Sequence, residues 1–172
     1  MEKNLRRPVA VAVLKGVLAV AFGEVVNYVN AEWMAEGRGF EVVRSTHSHP
    51  ADYPHLVRVT VSGEAAEVSL AGALVGERDP RVVQFEGFQL EFRPAGRLLV
   101  MRNCDVPGVV GRLGTILGEA GVNIADIHFS RRNGGGDAVA VLRLDSDVAA
   151  GTLARIAALP EVARVQVVDL GL

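Results

Sequence analysis

The chain has 172 residues, of which 49% are hydrophobic and 22% are charged, and its formal net charge is −2. A chain of this length holds one large domain or two small ones, and the composition is that of an ordinary globular protein. Proteins that bind nucleic acid usually carry a clustered basic excess, and this composition contains none. We therefore expect no nucleic-acid partner.

Cys104 is the single cysteine of the sequence. It rules out an internal disulfide, and one thiolate is too few for an iron–sulfur cluster or a four-cysteine zinc site. A reducing, cytoplasmic setting fits best. The apolar stretch after the charged N-terminus is interrupted by Lys15 and Glu24, and we interpret it as too short and too polar for a membrane span. No small-residue cleavage site follows it, so neither export nor a membrane partner is expected.

The first half of the sequence predicts helices followed by strands. Apolar spacing over residues 9–29 indicates a helix that is broken at Gly23, and a second helix is predicted to run to about Ala35. Lys15, Asn27 and Asn30 lie in this helical region and are interpreted as structural. Strand-like sequence is predicted to begin at Val42-Val43, before a polar loop over residues 45–54.

Short apolar runs after this loop predict a set of strands. The runs lie at residues 56–61, 68–70 and 71–75. Residues 82–85 and 88–92 predict a hairpin that turns at Glu86-Gly87. Pro94-Ala95-Gly96 is the predicted boundary between a domain at residues 1–94 and a second at 97–172.

The second half has a clear βαββαβ order. Residues 97–102 form an apolar strand of the kind that is buried on both faces, and Pro107 is expected in the first turn of the helix that follows. Gly121 is expected to end that helix with a left-handed backbone. Two strands joined by a turn at 133–137, a second helix before Pro160 and a last strand complete the order. This predicts an α+β, ferredoxin-like fold: a four-stranded antiparallel sheet with two helices on one face.

The fold alone does not decide the function, but two functions on it are disfavoured. An RNA-recognition module needs exposed aromatic side chains on its central strands, and residues 138–144 contain none. An acyl-phosphate hydrolase on this fold would need a basic loop after the first strand, whereas Asn103-Cys104-Asp105 is acidic.

That loop nevertheless carries groups that suit a free amino acid. The N–H groups of Gly108 and Val109 are expected at a helix start, where they can bind a carboxylate, and Asp105 can pair with an ammonium group. Gly108 has no side chain, so a ligand can approach the backbone closely. The simpler interpretation, that Asp105 only caps the helix and Gly108 only packs, stays open.

Asn123 adds to the functional interpretation. It lies at the start of the strand predicted at an edge of the sheet, and an apolar edge needs to be covered. Pairing with the same edge of a second subunit would cover it. Asn123 of one subunit could then reach a ligand held by the Asp105 loop of the other.

These residues carry a family resemblance. Asp105-x-Pro107-Gly108-Val109 followed by Gly121-Val122-Asn123-Ile124 resembles the signature of ACT domains, and GRLGTILGEAGVNIADIHFSR is similar to the regulatory domain of D-3-phosphoglycerate dehydrogenases. In the first half, AVLKGVL, VNYVNAEWMAEGRGFEV and VVQFEGFQLEF resemble the intervening, allosteric substrate-binding domain of the same enzymes, an α/β sandwich-like domain. Together the resemblances cover nearly the whole chain.

The resemblance implies that L-serine, or another small amino acid, binds between two ACT domains of a homo-oligomer and regulates L-serine biosynthesis. It places the ligand contacts on Asn103, Asp105 and the backbone of Gly108 and Val109 of one subunit, and on Asn123 of the other. Some members have histidine or tyrosine where this chain has Asn103. An amide there still donates and accepts hydrogen bonds.

The resemblance also implies an anion site in some members, at positions that correspond to Arg81 and Arg93. Guanidinium groups suit phosphate or carboxylate, but both arginines could equally be solvated charges at strand ends. His47, His49 and His55, with Asp52, are a weak candidate for zinc, because a three-ligand site needs a geometry that no sequence shows. No metal is therefore predicted.

No catalytic site is predicted in this chain. It has no Gly-x-Gly-x-x-Gly turn and no strand–helix series that could hold NAD, nor a Ser/His/Asp or Cys/His set. The dehydrogenase chemistry, with its NAD, would have to precede Met1, so the chain is expected to be either a truncated piece or a free-standing regulatory subunit. Two alternatives stay open: the small subunit of an iron–sulfur L-serine dehydratase, and a structural dimerisation module.

Overall fold

A computed structural model describes residues 6–45, 53, 56–64, 66–76, 78–132 and 135–171, with the side chain of Arg6 excepted. The chain divides into two compact units, Met1–His49 and Pro50–Leu172. The helices are α1 (Arg6–Phe22), α2 (Ala31–Gly37), α3 (Val109–Glu119) and α4 (Ala150–Ala157). The strands are β1 (Val57–Ser62), β2 (Glu67–Val75), β3 (Asp79–Phe85), β4 (Phe88–Phe92), β5 (Arg97–Cys104), β6 (Ile124–Arg131), β7 (Asp137–Leu144) and β8 (Val162–Asp169).

The first unit is a pair of helices. Gly23, at φ +65°, ends α1 and begins a short 3-10 helix, which confirms the predicted break. The turn before α2 is held by side chains: Asn30 Oδ1 accepts from the N–H of Asn27 at 2.8 Å, and Asn27 Oδ1 accepts from the N–H of Val29 at 2.9 Å. Both asparagines are therefore structural, as predicted. The core of this unit consists of Val11, Leu18, Val26, Ala31 and Ala35.

Two predictions for the first unit were wrong. Val42 and Val43 are not in a strand, and 80% of Val43 is exposed, because no described strand pairs with this segment. Residues Arg7–Val25 are long and apolar enough to cross a membrane by length and composition, although this stretch was expected to be too short and too polar. Signal sequences and core helices of other proteins pass the same criterion, so the finding does not assign a membrane. Of the loop predicted over 45–54, only Ser45 and Tyr53 lie within the described residues.

The first sheet is an antiparallel meander in the order β1-β2-β3-β4. The apolar runs at 68–70 and 71–75 form the single strand β2, whose register shifts at Ala71/Gly72. The predicted hairpin is confirmed: Glu86 (φ 46°) and Gly87 (φ 82°) both have a positive φ, as a two-residue turn between β3 and β4 requires.

The second sheet has the order β6-β7-β5-β8, with antiparallel pairing throughout. This is the predicted ferredoxin-like fold, and β6 is an edge strand of it. The apolar face of α3 is buried, as predicted, through Val109, Leu113, Ile116 and Leu117. The helix ends at Glu119, and the left-handed Gly121 (φ +69°) that follows allows the N–H of Val122 to donate to Leu117 O at 2.9 Å, as predicted.

The start of α3 differs from the prediction. The helix begins at Val109 and its N-cap is Gly108, so Pro107 precedes the helix instead of lying in its first turn. The reason is the backbone of Gly108, which adopts the left-handed conformation at φ +90° and separates Pro107 from the helix.

The two sheets pack against each other within the second unit. The side chains of β5 alternate between two environments: Leu99 and Met101 contact the helices, while Leu98 faces the first sheet. Phe88, Leu90 and Phe92 of β4 fill the space between the sheets, together with Val82, Val139 and Val141. The second sheet is therefore covered on both faces, by α3 and α4 on one side and by β3 and β4 on the other. Residues 94–96 connect the two sheets, and the domain boundary proposed there stays a prediction.

The shared core predicts a large effect of Phe88→Ala. Phe88 is 2% exposed and lies between the sheets, so we expect the free energy of unfolding to fall by about 3–5 kcal/mol. Gln89→Ala is the matched control, because Gln89 is the exposed neighbour on the same strand and should change stability by less than about 0.5 kcal/mol. Urea denaturation of the two variants provides the measurement. Equal, small effects would contradict the shared core.

Candidate functional site

The end of β5 places a polar side chain in the core. Asn103 follows Leu99 and Met101 on the helix-facing side of the strand and is 2% exposed. Its Nδ2 donates to Cys104 O at 2.8 Å, but its Oδ1 is buried and accepts no hydrogen bond from any described residue. A buried acceptor without a donor is unusual, because most buried polar atoms are paired. The side-chain oxygen of Asn103 thus lacks the hydrogen bond that a buried acceptor usually has.

Asp105 lies in the loop that directly follows β5. Its N–H donates to Gly136 O at 2.6 Å, in the turn before β7. Its carboxylate is about one-fifth exposed and contacts Arg131 Nη1 at 3.3 Å. Because 70% of the Arg131 side chain is exposed, this ion pair is weak and exchangeable. The carboxylate remains available to a second cation.

The start of α3 has backbone N–H groups without a described hydrogen-bond acceptor. The first helical hydrogen bond runs from the N–H of Arg112 to Gly108 O at 2.9 Å, and no described hydrogen bond uses the N–H of Val109 or Val110. The end of an α-helix with unused N–H groups favours an anion. We name the set Asn103, Asp105, Gly108 and Val109 the β5–α3 cradle.

Asn123 does not reach this cradle within one chain. It lies just before β6, and its Nδ2 donates to Asp145 Oδ2 at 2.6 Å. Residue Leu144 pairs with Arg97 at the beginning of β5, whereas the cradle lies at the end of β5, beside Asp137. Seven residue steps along a strand separate these ends by about 23 Å. Only a second copy of the chain could bring an Asn123 to the cradle.

Three charged residues near the cradle escaped prediction: Arg112, Arg131 and Glu161. Arg112 lies one helical turn after Gly108, and this spacing could have shown that the two share a face. Arg131 and Glu161 come close through strand register, since Arg131 and Asn103 both pair with Ala138, and Val162 pairs with Asn103. No signal in the sequence indicates those two placements.

The two arginines of the candidate anion site do come together in the structure. Both bind the carboxylate of Asp79: Arg81 Nη2 donates to Oδ2 at 2.7 Å, and Arg93 Nε donates to Oδ1 at 3.0 Å. The hydrogen bond from Arg81, supported by Arg93, lowers the pKa of Asp79. The place that an external anion would take is thus occupied by a carboxylate of the chain itself.

No group of three potential metal ligands occurs among the residues that the structure describes. The weak zinc candidates His47, His49, Asp52 and His55 all lie outside those residues. The prediction for them is therefore not tested.

Comparison with known families decides the affiliation of the chain. Residues 1–86 match the D-3-phosphoglycerate dehydrogenase intervening domain, and residues 97–161 match the ACT domain. The chain belongs to the D-3-phosphoglycerate dehydrogenase intervening-domain family. Its second half is an ACT domain, so the β5–α3 cradle is part of an ACT domain. Asp79 and Arg81 lie within the matched intervening domain, and Arg93 follows it.

Relatives named D-3-phosphoglycerate dehydrogenase resemble the chain over most of its length. The protein from Synechocystis is 34% identical over 155 residues, which are 90% of this chain and 28% of the relative. The proteins from Methanocaldococcus jannaschii and Bacillus subtilis are 31% and 30% identical, each over 92% of this chain and 30% of the relative. The chain thus spans less than a third of the length of these dehydrogenases, and the resemblance named from its motifs is confirmed.

The Arg81–Asp79–Arg93 cluster predicts a pH-dependent contribution to stability. The pKa of Asp79 is lower in the folded chain than its unfolded value of about 3.9. Its ion pairs therefore stabilise the fold above that value, and the stabilisation disappears as the pH falls through the lowered pKa. We expect wild type to be more stable than Asp79→Asn at pH 6 and the difference to vanish near pH 2, as measured by urea denaturation.

A salt series is the control for this prediction. Added sodium chloride at about 0.5 M should shrink the difference at pH 6, because the cluster is partly exposed and is screened. A difference between wild type and Asp79→Asn that is the same at pH 6 and pH 2 would show that the effect is not electrostatic.

Proposed function

We propose that this chain is the regulatory part of a cytoplasmic, NAD-dependent D-3-phosphoglycerate dehydrogenase, and that its ACT domain binds L-serine for feedback control. The supporting observation is the β5–α3 cradle, in which the buried Asn103 Oδ1 has no described donor, the N–H of Val109 is unused, and Asp105 lies in the loop between them in the sequence. A ligand whose ammonium and carboxylate groups are attached to the same carbon atom would suit the Asn103 oxygen, the Asp105 carboxylate and the N–H groups together.

A small zwitterion has this arrangement of charges. Its ammonium group can pair with the carboxylate of Asp105, and with Asn103 Oδ1 once that buried side chain turns toward the ligand, while its carboxylate can accept from the N–H of Val109. Gly108 has no side chain at the point where the backbone turns into the helix, at φ +90°. The space beside Gly108 is taken by the guanidinium group of Arg112, with Nη1 at 2.9 Å from where a Cβ would stand, so the room left for a ligand favours a small amino acid.

A second copy of the chain is the partner that this site requires. Val106, Val110, Ile127 and Phe129 are each between 39% and 43% exposed, and they lie on α3, on the loop before it and on the edge strand β6. Antiparallel pairing of two β6 edges about a two-fold axis places the start of one strand beside the end of the other. Asn123 of the partner would then lie near Arg131 and the cradle, and the apolar edge would be covered.

The regulatory effect would act on catalytic domains outside this chain. Serine bound between two ACT domains stiffens or rotates the pair, and this change is coupled to the catalytic cleft with a free energy of about 1–3 kcal/mol, a typical allosteric coupling. We assign no catalytic role to any residue that the structure describes. The chemistry, its NAD and its substrate belong to the remainder of the parent enzyme.

One observation favours a second candidate, a structural dimerisation module. Asp105 already has a cationic partner in Arg131, so the cradle could be closed by the chain itself. The other alternative, the small subunit of an iron–sulfur L-serine dehydratase, is not favoured, because the relatives from Synechocystis, Methanocaldococcus jannaschii and Bacillus subtilis are named D-3-phosphoglycerate dehydrogenase.

The rate at which Cys104 is alkylated can report serine binding. Cys104 is the single cysteine of the sequence, is exposed, and lies between Asn103 and Asp105. We expect L-serine at millimolar concentrations to slow the alkylation of Cys104 by iodoacetamide and to raise the melting temperature. Asp105→Ala should weaken binding by about 10- to 100-fold, the usual cost of one charge-assisted hydrogen bond. Asp147→Asn is the matched control, since Asp147 is 87% exposed and pairs with Arg97 at the other end of the sheet.

The alternatives give different results in this assay. An intact dimer of wild-type chain that binds no serine, by alkylation or by titration calorimetry, would contradict the regulatory proposal and support the dimerisation module. Equal losses in Asp105→Ala and Asp147→Asn would show that serine binds elsewhere.

The shared site can be tested by mixing subunits. Asp105→Ala and Asn123→Ala should each remove binding at millimolar serine when present alone, because each removes one half of every site. In dimers formed by co-expression, one site of each mixed dimer combines an intact Asp105 with an intact Asn123. Random pairing should therefore restore about a quarter of the wild-type number of sites, by two-fold symmetry. No restoration in isolated mixed dimers would contradict a site shared between subunits.

A further inference from the structure

Arg112 lies directly over the open side of Gly108. A Cβ atom built on Gly108 would lie 2.9 Å from Arg112 Nη1 and 3.8 Å from Arg112 Cζ. The guanidinium group therefore covers the one backbone position of the cradle that has no side chain. It stands within the first turn of α3, beside the N–H groups that favour an anion.

Glu161 holds this guanidinium group in place. Arg112 Nη2 donates to Glu161 Oε1 at 2.5 Å, and Glu161 is bound to the end of β5 through its carbonyl oxygen, which accepts from the N–H of Cys104 at 2.8 Å. The side chain of Glu161 is 20% exposed, whereas that of Arg112 is 42% exposed. One end of the ion pair is thus fixed in the fold, and the guanidinium group faces outward.

The charges around the cradle alternate in a way that matches a zwitterion. The carboxylate of Asp105 and the unsatisfied Asn103 Oδ1 suit an ammonium group, while Arg112 is a fixed cation on the side of the helix start. Guanidinium groups bind carboxylates through two parallel hydrogen bonds. Backbone N–H groups alone present only partial positive charges to the ligand carboxylate, and Arg112 adds a full positive charge.

We propose that Arg112, positioned by Glu161 over Gly108, binds the carboxylate of the amino acid and makes the site selective for ligands with a free carboxylate. This inference rests on the proposed function, since it assigns a residue to the same site. Arg112 contacts the ligand. Glu161 acts through Arg112 and is a positioning residue.

The test compares L-serine with L-serinamide, which keeps the ammonium and hydroxyl groups but lacks the carboxylate. Titration calorimetry with the whole chain should show that wild type prefers serine. Arg112→Gln should weaken serine binding by about 10- to 100-fold and leave serinamide binding within about threefold, because only the charge-assisted contact is lost. Arg112→Lys should retain part of the preference, and Glu161→Gln should reduce it while the charge of residue 112 is unchanged.

Arg155→Gln is the matched control. Arg155 forms an exposed ion pair with Glu119 at 2.6 Å between α4 and α3, so its loss removes one helix ion pair away from the cradle. Its ligand preference should equal that of wild type. Circular dichroism melting curves of each variant confirm that it is folded.

Each outcome separates this inference from the proposed function. Wild type that binds serine, with an Arg112→Gln variant that keeps both its affinity and its preference, overturns the role of Arg112 alone. Wild type that binds neither ligand overturns the proposed function and, with it, the role of Arg112. A loss of serinamide binding as large as the loss of serine binding would show that Arg112 supports the fold of the cradle and does not read the carboxylate.

Discussion

The burial of β5 on both faces is the constraint on which the site depends. Leu99 and Met101 contact the helices, and Leu98 contacts the first sheet, so the strand can neither slide nor rotate without exposing one set of side chains. The same alternation sends Asn103 inward near the end of the strand, where it is 2% exposed. An amide at a position that the core dictates, with an acceptor left without a donor, is costly unless something completes it. The position of the cradle is thus a consequence of packing, and the unpaired Asn103 Oδ1 is the observation on which the proposed ligand site rests.

A second set of contacts connects the intervening domain with the turn that supports the cradle. Arg102 lies on the face of β5 that is turned toward the first sheet, pairs with Glu86 in the β3–β4 turn and contacts Asp137 at 3.2 Å. Its guanidinium carbon lies 5.2 Å from the centroid of the Phe88 ring, within reach of a cation–π interaction. Gly136, the neighbour of Asp137, accepts the hydrogen bond from the N–H of Asp105. Arg102 therefore links the β3–β4 turn to the turn before β7 that holds the backbone of Asp105.

The sequence predicts those features that are encoded locally. Gly121 ends α3, and Glu86-Gly87 forms the β3–β4 turn, because a positive φ is a property of one or two residues. Val42-Val43 has the local character of a strand but no described partner, and a strand requires one. The neighbours of the cradle follow from register: Glu161 comes to the end of β5 because β8 pairs there, and no local pattern carries that information. Asp79 was not predicted, although it lies only two residues before Arg81. Its proximity to Arg81 is visible in the sequence, but only the strand geometry shows that it also binds Arg93. The candidate site residues could be predicted from the motif, but the residues that pair with them through strand register could not.

The internal partners of the site residues bear on how tightly a ligand would bind. Asp105 has Arg131, Asn123 has Asp145 and Arg112 has Glu161, so a bound zwitterion replaces or shares existing pairs at each point. Exposed ion pairs are worth about 0–1 kcal/mol, so the exchange costs little, but it also gains little beyond what the new contacts add. The net affinity should then be modest, near the millimolar range that corresponds to about −4 kcal/mol. The proposed sensing function suits such an affinity, because a site that closed on its ligand too tightly would stay occupied when the amino acid became scarce. The prior pairing of Asp105 and Arg112 is thus compatible with the proposed sensing, and it keeps those charges satisfied when the site is empty.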